Sequence, residues 1–178
     1  PARDRVLNLD EYDRLLKAAE VSKCIYLKSL VQFAIETTAR QSEILKAKRE
    51  HVNWQTKTIT FYDTKNGDNR IVALSETAFL ILKTLPVSVS GFLFPLKNRD
   101  HLNWHWQQAL KKAEIDDFVF HDLRRTRNAI GVPNKQGAVG ASNFPQRYLY
   151  PQSELDTNPN IPATLPDFFD PTTLFTNY

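Results

Sequence analysis

The stretch that decides the fold reads FHDLRR at residues 120–125, and it pairs a histidine with an arginine. His121 and Arg124 are three residues apart, a spacing that places two side chains on the same face of a helix. An arginine offers a planar fork of N–H donors to two phosphate oxygens, and a histidine exchanges a proton near neutral pH. The motif therefore suits a phosphodiester, although taken alone it is more common as a surface pair beside a helix start.

The composition favours a single domain with an appended segment. The chain has 178 residues, of which 42% are hydrophobic, enough for one substantial core but not for two. Residues 1–125 carry 20 Lys and Arg against 16 Asp and Glu, whereas residues 126–178 carry 3 against 4. The excess of positive charge therefore belongs to the first part of the chain, where a polyanion could bind.

The sequence also indicates where the protein is found. The single cysteine, Cys24, lies among apolar residues, which predicts a buried thiol in a reducing compartment. No apolar run approaches the length of a membrane span, and residues 1–5 do not resemble a signal sequence. We expect a cytoplasmic protein with no membrane partner. Because the chain contains no methionine, we expect a fragment or a processed product.

Helical patterns lead to a second arginine. Asn8 and Glu11 predict a capping box that opens a first amphipathic helix, and residues 22–36 predict a helix buried in the core. The following stretch, TTARQSEIL at residues 37–45, opens another helix and places Arg40 at the junction between the two. Arg40 would then be positioned by core packing on both sides. An exposed Arg40–Glu43 pair explains the stretch equally well.

A β-hairpin is predicted next. Two β-prone runs at residues 58–62 and 70–74 flank a connection that contains Asn66 and Gly67. Lys65 lies at the turn, where its long side chain can project well beyond the sheet. Most turn lysines are simply solvated, and that explanation stays open.

Two further helices are predicted before residue 120. Ser75 caps the first, which stops before Pro86, and Asp100 is expected to cap the second. Trp104 and Trp106 on the second helix are expected to be packing residues.

The same helix carries other polar candidates. Lys111 and Lys112 would suit contacts with a DNA backbone. His101 and His105, four residues apart, could form half of a metal site, but no cluster of Cys, Asp or Glu completes it and no metal is predicted.

The pattern changes after Arg125. Residues 126–178 contain seven of the ten prolines, too many for a helix longer than two turns. We expect an irregular or disordered proline-rich extension there.

The chain resembles the catalytic domain of the tyrosine recombinases, the phage integrase family. The likeness covers about residues 3–125 and depends on three motifs in order: TTARQSEIL at 37–45, DTKNG at 63–67 leading to RIVALS at 70–75, and HDLRR at 121–125. The resemblance implies a mainly α fold with a small antiparallel β-sheet (α+β). It implies an incomplete integrase-like catalytic domain at residues 1–125, without the family's amino-terminal domain, and an irregular tail at 126–178.

The resemblance also implies a role for each candidate residue. Arg40 and Arg124 would grip the scissile phosphate, and Lys65 would protonate the leaving 5′ oxygen. His121 would act as a base or as a hydrogen-bond donor to the phosphate, and Glu43 would support Arg40. Arg125, Lys111 and Lys112 would contact the DNA backbone.

The reaction implied is site-specific DNA recombination or integration by transesterification at a phosphodiester. A tyrosine attacks the phosphate, and the covalent protein–DNA link keeps the bond energy, so the resemblance implies no cofactor, ATP or metal. The implied partners are double-stranded DNA and further copies of the chain assembled on it, and the implied origin is bacterial or phage.

The sequence departs from the family pattern at two points. Thr38 stands where the family usually has glycine, so a β-branched residue must make a bend that glycine permits. No tyrosine lies in a helical context after Arg125; Tyr148 and Tyr150 are candidates only by position. We therefore expect impaired activity, with a frameshift or a divergent end as possible origins of the tail.

Two other interpretations stay open at this point. The chain could be a non-catalytic DNA-binding remnant, or a regulator of an intact recombinase. It could also be a helical domain with no nucleic-acid role, its basic residues merely solvated.

Overall fold

The computed structural model describes residues 4–62 and 69–130 as a helical domain that carries a small sheet. The described elements are α1 (Leu9–Glu20), α2 (Leu27–Thr37), α3 (Gln41–Lys46), β1 (Val52–Asn53), β2 (Thr58–Phe61), β3 (Arg70–Ala73), α4 (Glu76–Thr84), α5 (Arg99–Lys112) and α6 (Leu123–Ala129). Short 3-10 helices at Arg49–His51 and Phe120–Asp122 precede β1 and α6. The prediction of a mainly α fold with a small antiparallel sheet is confirmed.

Helix α1 begins with the predicted capping box. The backbone N–H of Glu11 donates to Asn8 Oδ1 at 2.8 Å, and the N–H of Asn8 donates to Glu11 Oε2 at 3.0 Å. Two of the N–H groups that a helix start leaves unpaired are thus satisfied. The apolar face of α1 packs on α5 and α2.

Helix α2 is buried as predicted, but it begins later. The backbone of residues 22–26 forms turns instead, with the N–H of Cys24 donating to Ser22 Oγ at 3.1 Å and Ile25 73% exposed. The serine hydroxyl stabilises a local turn in place of a helical start. The Cys24 thiol is buried, as predicted. From Leu27 onward the helix is buried along most of its surface and packs on α1, α4 and α6.

The three strands form an antiparallel sheet in the order β1-β2-β3. The predicted hairpin is confirmed by the pairing of β2 with β3, in which Phe61 lies opposite Arg70. Strand β1 was not predicted, because two residues are too short to show an alternating pattern. The turn at residues 63–68, which includes Lys65, lies outside the described residues.

The caps of α4 and α5 follow the same chemistry. Ser75 caps α4 as predicted, its Oγ accepting from the N–H of Ala78 at 3.1 Å. Helix α5 is capped by Asn98, whose Oδ1 accepts from the N–H of His101 at 2.8 Å. The prediction of Asp100 as the cap was wrong. Asp100 lies in the first turn, where its negative charge favours the positive end of the helix dipole.

The two tryptophans of α5 behave differently. Trp106 is 2% exposed and packs against Phe118 and Phe120, with ring centroids 6.1 and 5.2 Å away. Trp104 is 56% exposed. The prediction of two packing residues is confirmed for Trp106 and wrong for Trp104, since the two side chains project about 200° apart around the helix.

Helix α6 closes the described core. Thr126 is fully buried; its Oγ1 accepts from the N–H of Leu7 at 3.2 Å and donates to the carbonyl of Asp122 at 3.1 Å. The predicted domain boundary after Arg125 therefore falls inside a packed helix. The irregular tail stays a prediction, because residues 131–178 lie outside the described part of the chain.

Within residues 4–62 and 69–130, every helix is too short or too polar to cross a lipid bilayer.

Glu36 is a buried carboxyl at the junction of α2, α4 and α6. It is 2% exposed, and its Oε2 accepts from Ser75 Oγ at 2.5 Å. Arg127 donates from Nη1 to the backbone carbonyl of Glu36. Burial raises the pKa of Glu36, and the Ser75 hydrogen bond and the Arg127 charge only partly oppose it.

We predict that Glu36→Gln stabilises the protein more at pH 7 than at pH 4. The pKa of Glu36 is higher in the folded than in the unfolded protein. The contribution of Glu36 to the free energy of unfolding is therefore fully present below the unfolded pKa of about 4.5 and is lost as pH rises through the folded pKa. Glutamine stays neutral and keeps an acceptor for Ser75. At pH 7 the gain in free energy of unfolding should be about 1.4 kcal/mol for each unit by which the folded pKa of Glu36 exceeds the unfolded pKa. Urea unfolding at both pH values measures it, with exposed Glu50→Gln as the control; equal gains at both pH values would contradict the prediction.

Candidate functional site

Arg40 lies at a sharp junction between two buried segments. Thr38 ends α2 in the left-handed conformation, with φ of 51° and ψ of 30°. Ala39 is buried, and Arg40 is extended and begins α3. The prediction that a β-branched residue makes the bend at Thr38 is confirmed. Core packing of α2 and of Ile44 in α3 therefore fixes the position of the Arg40 backbone.

The Glu43 carboxylate holds Arg40 in place. One oxygen, Oε1, accepts from Arg40 Nη1 at 2.7 Å, and the other, Oε2, accepts from the Arg40 N–H at 2.8 Å. The Glu43 side chain is 1% exposed, whereas that of Arg40 is 32% exposed. The alternative of an exposed Arg40–Glu43 pair is wrong, since this carboxylate is buried and anchored.

Arg70 is a second partner of Glu43 that the sequence analysis missed. Its Nη2 donates to Glu43 Oε2 at 2.6 Å, and its guanidinium lies over the Phe61 ring, 5.1 Å from the centroid. Arg70 and Val72 are on the same face of β3, opposite Phe61 and Ile59 of β2. Strand alternation places position 70 on the face of Val72, and this was the one available signal that Arg70 is directed inward.

The pKa of Glu43 reflects this balance. Burial alone would raise it, but the Arg40 N–H and the guanidinium groups of Arg70 and Arg40 outweigh burial, so the pKa of Glu43 lies below its ordinary value. Glu43 is therefore a carboxylate at neutral pH.

Arg124 lies close enough to Arg40, Arg70 and Glu43 to interact with their charges, and these four residues are called the arginine cluster. Burial lowers its pKa, the positive charges of Arg40 and Arg70 lower it further, and Glu43 acts in the opposite direction. Its Nη1 is buried and has no hydrogen-bond partner among the described residues, and the same holds for Arg70 Nε. A buried guanidinium N–H without an acceptor is costly, so these donors favour an anion.

His121 lies beside Arg40 in a polar cavity. The His121 side chain is exposed, and with Arg40 it lines a cavity of about 470 Å³ between α3, α5 and the 3-10 helix Phe120–Asp122. One wall is a hydrogen-bonded chain in which Arg99 Nε donates to Gln41 Oε1 at 3.0 Å and Gln41 Nε2 donates to Asn103 Oδ1 at 2.7 Å. These three residues were not predicted as site residues.

The cluster has a net positive charge. Arg40, Arg70 and Arg124 contribute three positive charges and Glu43 one negative charge. A dianion would therefore match the site better than a neutral ligand. The structure brings the predicted residues Arg40, Glu43 and Arg124 together, and it places His121 in the cavity that Arg40 lines.

Other predicted site residues lie elsewhere. Arg125 is exposed and forms an ion pair with Asp4 at 3.3 Å. Lys111 and Lys112 are exposed and line a separate groove beside the end of α1, together with Trp104. Lys65 and the candidate nucleophiles Tyr148 and Tyr150 lie outside the described residues.

The two histidines on α5 contact each other. The Nε2 atoms of His101 and His105 are 3.3 Å apart, and burial, with smaller effects from His101 and Lys23, lowers the pKa of His105. In residues 4–62 and 69–130 the pair is not completed by a third His, Cys, Asp or Glu that could hold a metal ion.

Comparison with known proteins identifies the family. The model of the phage integrase family matches residues 5–130. The chain is 35% identical over 122 residues to the shufflon-specific DNA recombinase of Escherichia coli, covering 68% of this chain and 31% of that protein. The catalytic domain of bacteriophage HP1 integrase is similar in structure, with 29% identity, a TM-score of 0.56 and 68% of each chain covered. A lambda integrase dimer bound to a COC′ core site shares the fold at 17% identity, with a TM-score of 0.57, 71% of this chain and 50% of that chain covered.

The chain belongs to the phage integrase family. It has the catalytic-domain fold of the tyrosine recombinases, as the resemblance implied. The chain spans about a third of the length of the curated relatives it matches.

We predict that sulfate stabilises the protein through this cluster. A ligand that binds only the folded state raises the free energy of unfolding, by about 1.4 kcal/mol at ten times its dissociation constant. Melting temperatures in sodium sulfate and sodium chloride at equal ionic strength measure the effect. Arg124→Gln should reduce the sulfate-specific rise, and Lys17→Gln on the exposed face of α1 should not. Equal rises in both variants would show that sulfate acts only as a general salt.

We predict that Thr38→Gly raises the free energy of unfolding by about 1 kcal/mol. Glycine adopts the left-handed conformation of this position without the steric cost that a β-branched residue carries, and this relief exceeds its greater backbone entropy. Thr38→Ala retains a Cβ and should gain less, as measured by urea unfolding. A variant with glycine that is less stable than the one with alanine would refute the argument.

Proposed function

We propose that the chain is the DNA-cleaving domain of a tyrosine-type site-specific recombinase that acts on a DNA phosphodiester. The observation that carries this proposal is the grouping of Arg40 and Arg124 with the buried Glu43 carboxylate, beside the cavity that Arg40 shares with His121, in a chain of this family. Integration or recombination of DNA in a bacterial cell is the corresponding biological role.

The charge of the cluster supports this chemistry. A phosphodiester carries one negative charge, and its pentacoordinate transition state gains a second. Three arginines and one carboxylate leave two positive charges, so the site favours the transition state over the ground state. In this proposal Arg40 and Arg124 contact the non-bridging oxygens of the scissile phosphate. His121, on the exposed wall beside Arg40, donates a hydrogen bond to the phosphate or exchanges a proton.

Lys65 is assigned to the leaving group. The strand β2 ends at Phe61 and β3 begins at Arg70, whose guanidinium contacts Glu43. Both ends of the connecting loop are therefore close to the cluster, within reach of a long ammonium side chain. Lys65 would protonate the 5′ oxygen as its bond to phosphorus breaks.

The reaction exchanges one phosphodiester for another. A tyrosine hydroxyl attacks phosphorus, the 5′ oxygen leaves as a hydroxyl, and a 3′-phosphotyrosyl link remains; a second 5′ hydroxyl reverses the step. Tyr148 and Tyr150 are the candidates for the attacking group. Because bond energy is conserved throughout, the scheme consumes no nucleotide cofactor.

The partner in this proposal is double-stranded DNA, with further copies of the chain bound on it. Arg125, Lys111 and Lys112 are available for backbone contacts, since all three are exposed. Lys111 and Lys112 lie away from the Arg40 cavity, so they would contact a flanking part of the duplex or a second duplex.

We predict that Arg40→Ala abolishes any covalent adduct that the protein forms with nicked duplex DNA. The substrate is a pool of nicked duplexes of random sequence, in which release of a short strand traps the phosphotyrosyl link. Adducts that survive SDS are scored by gel shift and identified by sequencing. Lys17→Ala, on the exposed face of α1, is the matched control and should retain the adduct.

An adduct that persists in Arg40→Ala would refute the assignment of Arg40. Absence of any adduct, together with duplex binding whose log affinity falls with log salt, would identify a DNA-binding remnant without cleavage activity. Tight binding that is indifferent to salt would refute the phosphate contacts altogether.

A further inference from the structure

The Glu43 carboxylate is shared between two arginines on different elements. Its Oε1 accepts from Arg40 Nη1 at 2.7 Å, and its Oε2 accepts from Arg70 Nη2 at 2.6 Å and from the Arg40 N–H at 2.8 Å. A carboxylate held from one side only can rotate about its terminal torsion, which is broad. Arg40 donates to both oxygens, and the second donor that Arg70 places on Oε2 restricts the carboxylate from another element, and with it the direction of the Arg40 guanidinium.

Arg70 is itself held rigidly. Its backbone is in β3 opposite Phe61, and its guanidinium lies over the Phe61 ring, which is 1% exposed. Stacking on a buried ring and an ion pair at 2.6 Å leave the guanidinium little freedom. Arg70 therefore transmits the position of the sheet to Glu43.

We propose that Arg70 is a positioning residue of the phosphate site, acting through Glu43 to fix the Arg40 guanidinium. The inference depends on the proposed function, because the proposed function assigns the phosphate contact to Arg40. Arg70 also ties the hairpin to α3. If the contact between Arg70 and Glu43 is lost, Arg40 is oriented less precisely and its contact with phosphate is weakened.

The test is a double-variant cycle on DNA binding by the full chain. A fluorescent 30-base-pair duplex of arbitrary sequence serves as the probe, and anisotropy is measured over a series of salt concentrations. Such binding reports phosphate contacts without a known target site or a nucleophile. The variants are Arg40→Gln, Arg70→Gln and the combination of the two.

Arg40→Gln and Arg70→Gln should each weaken binding about tenfold, the size expected for one charge-assisted hydrogen bond. Each should also reduce the slope of log affinity against log salt by about 0.9, the value for one phosphate contact. The combined variant should bind no more weakly than either single variant, because both changes remove the same contact. The matched control is Arg49→Gln, since Arg49 is also half-buried and lies over an aromatic ring, that of Trp54 at 4.8 Å. It should bind like the unaltered protein.

If the two tenfold losses of affinity multiplied to about a hundredfold in the combined variant, Arg70 would contact DNA by itself, and the inference would be overturned. Unaltered binding by Arg70→Gln beside weakened binding by Arg40→Gln would overturn it too, while leaving the proposed function intact. Unaltered binding by Arg40→Gln would refute the proposed function itself.

Two further variants guard against misfolding. Arg70→Lys keeps the charge and one bond to Glu43 and should restore most of the affinity lost in Arg70→Gln. Glu43→Gln removes the negative charge and one of the two acceptor oxygens, so it cannot hold both guanidinium groups; it should reproduce the loss of Arg70→Gln, including its lack of additivity with Arg40→Gln. Failure of both expectations in variants that unfold cooperatively would overturn the inference.

Discussion

One buried carboxylate sets the geometry of the candidate site. Glu43 accepts hydrogen bonds from two arginines and from the backbone where α3 begins, and it lies in a cluster that also contains Arg124. Without a negative charge at this point, three guanidinium groups in one region would repel one another strongly. With it, two of them are held in fixed directions while the net charge stays positive. Anion binding as proposed for this site therefore depends on a residue that does not itself need to contact the anion.

The packed core of the domain fixes the position of the Glu43 carboxylate relative to Arg40. Helix α2 is buried along most of its surface, and it ends directly in the left-handed turn at Thr38 that redirects the chain into α3. Strand β3 brings Arg70 from a distant part of the sequence to the same carboxylate. Helix α6 packs on α2 and carries Arg124. Three separate elements thus contribute to one site, which is why no single motif of the sequence defines it.

The sequence predicted what local patterns control. Capping by Asn8 and Ser75 follows from side-chain chemistry within four residues, and Arg40, His121 and Arg124 belong to short motifs whose order is informative. Arg70 was missed because its role depends on a contact between residues 27 positions apart. An arginine at a strand start is usually solvated, and only strand alternation indicated that this one is directed toward Phe61. The choice of Asn98 over Asp100 as a cap depended on where the backbone becomes helical, which differs by two residues from the predicted start.

The repulsion between Arg124 and its two neighbouring arginines has a consequence for evolution. A site assembled from like charges is electrostatically frustrated, so the ligand-free fold is less stable than one in which these positions are neutral. Selection for thermal robustness and selection for anion recognition therefore act in opposite directions on these three positions. A lineage freed from the need to process its ligand would be expected to drift toward neutral side chains here.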